Sequence, residues 1–175
     1  MNLNLIVSTF RHQEEEARSE MDDILREFGD RRPQSSLSKV SGIVLANSLI
    51  DPFEVISRFR ELVKYEPWKV HYVLRVLPIE IVLPNTIENI LNASSCLGKK
   101  ISYDESFRIT IEKRHTSMSS SSIITKVANL FTNRVSLDRP DWIILIEIIG
   151  DTVGVSVLRP NQIFRSIIEK RRNAI

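Results

Sequence analysis

Lys113, Arg114 and His115 follow one another directly after an alternating apolar run and lead into the serine-rich stretch Ser117–Ser122. Two cations, an imidazole, several hydroxyls and the free N–H groups of a following helix are what a phosphate group needs. The residues placed at this candidate phosphate site are Lys113, Arg114, His115, Ser119 and Ser120. Arg134, Arg139 and Arg159 punctuate later turns of the same half and extend a surface that can track a nucleic-acid backbone. The competing reading is that the serines cap a helix and the cations remain solvated. Tyr103 is a candidate for base stacking, whereas Trp142 lies in an apolar run and reads as core. With so few exposed aromatics, recognition by shape, phosphate and 2′-OH is expected rather than reading of bases.

Chemistry of other kinds finds little footing. There is no GxGxxG and no GxxxxGK[ST]. His12, His71 and His115 lack metal-ligand spacing, and one cysteine excludes a cysteine-based zinc cage or an internal disulfide. Cys96, beside Leu97 at a helix end, reads as a buried inert thiol. Asp51, Asp104, Asp138, Asp141 and Asp151 fall near turns, where carboxylates cap backbone N–H groups. Glu14–Glu16 open a helix, where negative charge favours the dipole. No catalytic residue, metal or cofactor is expected.

The elements that must position the cluster can be read from periodicity. Leu3–Ser8 reads as a buried strand, and Gln13–Phe28 as a helix whose stripe Ala17, Met21, Ile24, Leu25 and Phe28 ends at Gly29. Asp30–Ser38 reads as a polar loop and Val40–Ala46 as a strand. Asp51-Pro52 caps a helix running to about Lys64 that buries Phe53, Ile56, Phe59 and Val63. Val70–Leu83 is extended and broken at Pro78, expected at an edge or bulge. Thr86 caps a short helix ending near Cys96-Leu97-Gly98, and Gly98-Lys99-Lys100 is the expected domain boundary. Phe107, Ile109 and Ile111 alternate with polar residues as in a half-covered strand. Ile123, Ile124, Val127, Leu130 and Phe131 mark a helix; Trp142–Ile149 reads as a central strand and Val153, Val155 and Val157 as its return. Phe164, Ile167 and Ile168 suggest a closing helix.

A chain of 175 residues, 42% hydrophobic, can build one large domain or two small ones. No apolar run reaches 18 residues, and MNLNLIVSTF lacks the basic region and cleavage site of a signal peptide. The expected location is the cytoplasm. The net charge of +2 is unevenly spread: residues 1–98 hold 11 Lys/Arg against 14 Asp/Glu, and residues 99–175 hold 13 against 8. A polyanion is expected to bind mainly through the second half.

FRITIEKRHT, the serine turn and RVSLDRPDWIILIEIIGDTVGVSVL together resemble the THUMP domain. Its V-x-L-x-x-P-D turn and its I-x-V-E-I and G-V-S-V strands correspond to Val135, Leu137, Pro140, Asp141, Glu147, Gly154, Val155, Ser156 and Val157. Ile146 stands where the pattern has valine. YVLRVLPIEIVLPNTIENIL resembles the segment that precedes this domain in the Tan type of THUMP protein, with Arg75, Leu77 and Pro78 matching. The resemblance implies an α+β fold: an N-terminal ferredoxin-like region (1–98), then a THUMP core (99–175) whose central mixed sheet is flanked by helices. It also implies a non-catalytic adaptor that holds tRNA, by its acceptor end, for a separate tRNA cytidine acetyltransferase. Lys113, Arg114, His115 and the serine turn would contact RNA, with Arg139 and Arg159 added from charge and position alone. Neither membrane nor DNA is expected as a partner. The alternative is a protein-interaction module whose basic edge serves an acidic partner. A small RNA-modifying enzyme is a third reading, without a nucleophile to support it.

Overall fold

The structure, a computed structural model, describes residues 3–173. It is a mixed α+β fold with two sheets and five helices among these residues. Its contacts divide the chain into one unit of residues 1–79 and 161–175 and another of Glu80–Pro160.

In the first unit, β1 (Leu5–Ser8), α1 (Glu14–Glu27), β2 (Gln34–Leu37), β3 (Ile43–Asn47), α2 (Pro52–Tyr65) and β4 (Arg75–Pro78) follow in order. The sheet runs β2-β3-β1-β4, antiparallel throughout, which is the ferredoxin-like arrangement. A two-residue β9 (Phe164–Arg165) returns to pair with β4, and α5 (Ser166–Asn173) follows it. The helices form where the sequence asks for them. Ala17, Met21, Ile24 and Leu25 are buried on α1, and Gly29 leaves that helix at φ +97°. The Asp51 carboxylate accepts from the N–H groups of Phe53 and Glu54 to start α2. Phe59 is fully buried between the rings of Phe28 and Phe164. The Glu20 carboxylate accepts from the N–H groups of His71, Tyr72 and Val73 and so fixes the approach to β4. Asp30 is buried, which opposes its ionisation. Bonds from Ser48 Oγ and from the N–H groups of Arg32 and Leu49 outweigh that and hold its carboxyl below the usual range.

The second unit contains β5 (Ile81–Pro84), α3 (Ile87–Leu97), β6 (Phe107–Arg114), α4 (Ser120–Ala128), β7 (Trp142–Ile149) and β8 (Thr152–Leu158). Its sheet runs β5-β8-β7-β6, with β6 and β7 parallel and the other pairs antiparallel. Ile144, Ile146 and Ile148 on β7 meet Val153, Val155 and Val157 on β8, Ile90 on α3 and Ile123 and Val127 on α4 in one core.

Several expectations need correction. The boundary expected at Gly98 falls instead between Ile79 and Glu80, because β5 pairs with β8 and Ile90 and Ala93 of α3 enter the core built on β7 and β8. The C-terminal residues return to the first unit through β9. Gly98 is buried, and a Cβ there would lie 2.2 Å from the Phe131 ring. Gly98→Ala is expected to cost about 1–3 kcal/mol through that overlap, read as a lower denaturation midpoint. Gln34–Leu37, read as loop, is an edge strand paired with β3. The two halves of Val70–Leu83 are β4 and β5, in different sheets. Phe53 is half-buried only. Ile124, Leu130, Ile167 and Ile168 are exposed, so the apolar stripes of α4 and α5 are narrower than their sequences imply. Cys96 is exposed, on the side of α3 away from Ile90, Ala93 and Ser94. With the observed boundary the charge asymmetry disappears: Glu80–Pro160 holds nine Lys/Arg and nine Asp/Glu.

Candidate nucleic-acid interface

β6 and β7 run parallel in register from Phe107↔Trp142 to Arg114↔Ile149, and this sorts the candidate residues into two groups. Lys113, Arg114, His115, Ser119 and Ser120 gather where these strands end. Arg139 and Arg159, with Arg134, lie where the strands begin. Eight residues at about 3.3 Å each separate the two ends by roughly 25 Å. The arginines expected to extend the surface of the Lys113–His115 cluster therefore form a second patch.

At the first end, Lys113 is exposed and its Nζ donates to the Met118 carbonyl at 2.6 Å, folding the side chain over the serine turn. Arg114 points elsewhere. Its guanidinium donates to Glu112 Oε2 at 2.8 Å and to Glu147 Oε2 at 3.1 Å. Glu147 is buried on β7, in register with Glu112 on β6, so a cation between the two carboxylates relieves their repulsion. His115 is exposed and turns the chain at φ +56°, in the left-handed region. Asn85, not singled out from sequence, braces this turn: its Nδ2 donates to Gly150 O at 3.0 Å and to Thr116 Oγ1 at 3.3 Å. Ser119 Oγ caps α4, accepting from Ser122 N at 3.4 Å, and lies 2.9 Å from Ser121 Oγ. Ser120 opens the helix. Lys126, about two turns beyond the cap in the last turn of α4 and missed from sequence, is exposed with no ion pair among the described residues. The end thus presents Lys113, His115, serine hydroxyls and the positive end of α4, while Arg114 is spent on the fold.

At the other end Arg159 is a structural member of a polar knot. Its guanidinium lies 3.8 Å from the centre of the Trp142 ring and pairs with Glu105 Oε1 at 2.7 Å. Trp142 is half-buried against the core, as expected, and its Nε1–H donates to Glu105 Oε2 at 2.6 Å. The Asp141 carboxylate accepts from Ser106 N and Oγ, each at 2.8 Å. Arg139 and Arg134 are exposed beside the knot, and Tyr103 is 94% exposed. Glu105, held by the Trp142 indole, then Arg159 and Ser102 N–H, has its carboxyl below the usual range. Asp141 is lowered likewise, by the two Ser106 bonds and then by Arg159 and Arg134. A carboxylate with a depressed pKa in the folded state adds stability above its unfolded pKa and loses it as pH falls through the folded value. Melting temperature is therefore expected to fall as pH drops from about 5 to about 3. Glu105→Gln should flatten that dependence, and an unchanged profile in the variant would exclude this carboxylate as its source.

Among the described residues, no group of three or more His, Cys, Asp and Glu is placed to hold a metal ion. No helix among them is long and apolar enough to cross a membrane.

Residues 85–158 match the THUMP domain family. That match runs from α3 to the end of β8 and takes in the β6–α4–β7 crossover of the second unit. Solved structures show similar folds over most of the chain. PH1313 from Pyrococcus horikoshii Ot3 is 17% identical with a TM-score of 0.70, covering 90% of this chain and 55% of that one. TrmN from Thermus thermophilus is 13% identical with a TM-score of 0.60, covering 91% and 47%. A 4-thiouridine synthetase in complex with RNA and bound ATP is 12% identical with a TM-score of 0.59, covering 90% and 42%. The chain spans about half the length, or less, of these structures. No curated protein matches it.

Proposed function

We propose that this protein holds tRNA for a separate modifying enzyme, with the acceptor end of the tRNA as the anchor and a tRNA cytidine acetyltransferase as the enzyme served. The observation that carries the reading is the THUMP domain over residues 85–158. A structure of similar fold is a synthetase in complex with RNA, which supports RNA as the ligand. The finer choice of acetylation rests on the Tan-type resemblance of the segment containing Arg75, Leu77 and Pro78. In this reading the protein performs no chemistry of its own. It raises the local concentration of tRNA at the enzyme and fixes its orientation, in the cytoplasm.

Lys113, His115, Ser119 and Ser120 would contact phosphate directly, with the α4 N-terminus contributing its N–H groups. Arg114 and Arg159 would act indirectly, through the ion pairs that shape the two strand ends. Arg139 forms the separate patch, about 25 Å away. Lys113→Ala is expected to lower the slope of log K against log salt by up to about one unit, with tRNA affinity weakened at moderate salt. A folded variant with unchanged slope would remove this strand end from the interface, and the same measurement on Arg139→Ala would test the other end.

The reading as a whole is tested by binding the purified protein to intact tRNA and to the same tRNA lacking its single-stranded acceptor end, at two salt concentrations. Selective loss on truncation supports it. Equal, salt-sensitive binding to both reduces it to polyanion attraction. A change in tRNA mass produced by the protein alone would revive the enzyme reading.

A further inference from the structure

The first unit carries an exposed aromatic surface to which the RNA reading assigns no residue. Tyr65 is 67% exposed at the end of α2, and Trp68 is 63% exposed on the turn Pro67–Lys69 that follows. Two shallow troughs flank this turn. One, of about 480 Å³, is lined by Phe28, Leu62 and Tyr65 with Glu61 and Glu66. The other, of about 530 Å³, is lined by Ile24 and Tyr72 with Glu16, Glu20 and Asp23. Glu27 belongs to both.

Charge decides what such a surface can accept. Six carboxylates line the two troughs, against Arg58 and Lys69. Lys69 is already shared between Glu27 at 2.7 Å and Glu66 at 2.8 Å, and Arg58 is paired with Glu54. Glu16 and Glu61 are exposed and form no ion pair among the described residues. A phosphate backbone is repelled here, so the exposed rings do not form a base-stacking platform. The exposed Trp68, two residues from Glu66, suits a guanidinium, which stacks on the ring face and forks to a carboxylate, whereas the Tyr65 ring already has Lys64 Nζ 5.1 Å from its centre.

We propose that this face docks an arginine-bearing, basic segment of a partner protein. On the adaptor reading that partner is the modifying enzyme; the docking chemistry itself does not depend on that reading. The surface then complements the THUMP domain, one unit recruiting protein and the other holding RNA.

The test is titration of the full chain with a synthetic arginine-rich peptide, followed by NMR at the indole N–H of Trp68, with an acidic peptide of equal length as control. The Trp68 resonance should move saturably with the basic peptide alone, and the shift should weaken with salt. Glu16→Gln with Glu61→Gln should weaken binding several-fold, and Trp68→Ala, read by calorimetry, about fivefold. These side chains are exposed, so the variants should fold. No shift at Trp68, or binding indifferent to all three substitutions, overturns the proposal. So does a Trp68 shift produced by tRNA in place of the peptide, which would make the face an RNA contact. Acceptor-end binding of tRNA by Glu61→Gln and Trp68→Ala is expected to remain at the wild-type level, so the RNA reading stands or falls separately.

Discussion

Leu145→Asp is expected to unfold the second unit. Leu145 is fully buried on β7, the strand paired on both sides, facing Thr110 of β6 and Ser156 of β8 in register. An ionised carboxylate there is costly to take out of water, and its neutral form still exchanges a fitted side chain for a polar group in an apolar site. The cost exceeds about 4 kcal/mol, a large part of the 5–15 kcal/mol that holds an ordinary domain together. Hydrogen exchange separates this from a general loss of solubility: the amides of β6, β7 and β8 should lose protection in the variant. Leu145→Met, which nearly conserves volume, should cost less than about 1.5 kcal/mol and keep that protection. A Leu145→Asp protein with native protection in β7 would show that the strand tolerates a charge at its centre.

What could be read from the sequence was what local period dictates. The alternation of Phe107, Ile109 and Ile111 and the unbroken run Trp142–Ile149 carry a strand signal that needs no partner to be seen, and β6 and β7 form there. Asp51-Pro52 and Thr86 stand at their helix starts for the same reason. The misreadings share a different cause. Gln34–Leu37 has no apolar period, and its extension comes from pairing with β3. Gly98 resembles a linker glycine until the Phe131 ring, 33 positions later, packs onto it. The acidic first half and basic second half were products of a boundary drawn at that glycine. At the site, the helix cap and the serine turn were legible because capping is local. The separation of Lys113 from Arg159 was not, since it depends on the direction in which β6 and β7 run relative to each other.

Arg114 shows how far such misreading reaches into function. By sequence it is the middle member of a basic triplet, and its replacement would be judged by RNA affinity. In the fold its guanidinium joins Glu112 to Glu147, whose side chain is fully shielded from solvent. A buried ion pair is weak evidence for net stability, yet removing one partner of such a pair is costly because the remaining charge stays desolvated. Arg114→Ala is therefore expected to destabilise the protein by about 3 kcal/mol, seen as a lower denaturation midpoint without any RNA present. Glu147→Gln in the same chain should recover part of that loss, since a neutral amide is cheaper to bury than a carboxylate that has lost this cation. Lys113→Ala, one residue away and exposed, should leave the midpoint within about 0.5 kcal/mol while lowering the salt slope of tRNA binding. The two neighbours thus make opposite demands on one pair of measurements. If Arg114→Ala kept full stability and lost RNA affinity, the guanidinium would belong to the interface and the Glu147 contact would be incidental. If it melts early and Glu147→Gln restores it, the triplet divides into one residue that meets the ligand and one that holds the strand end in place.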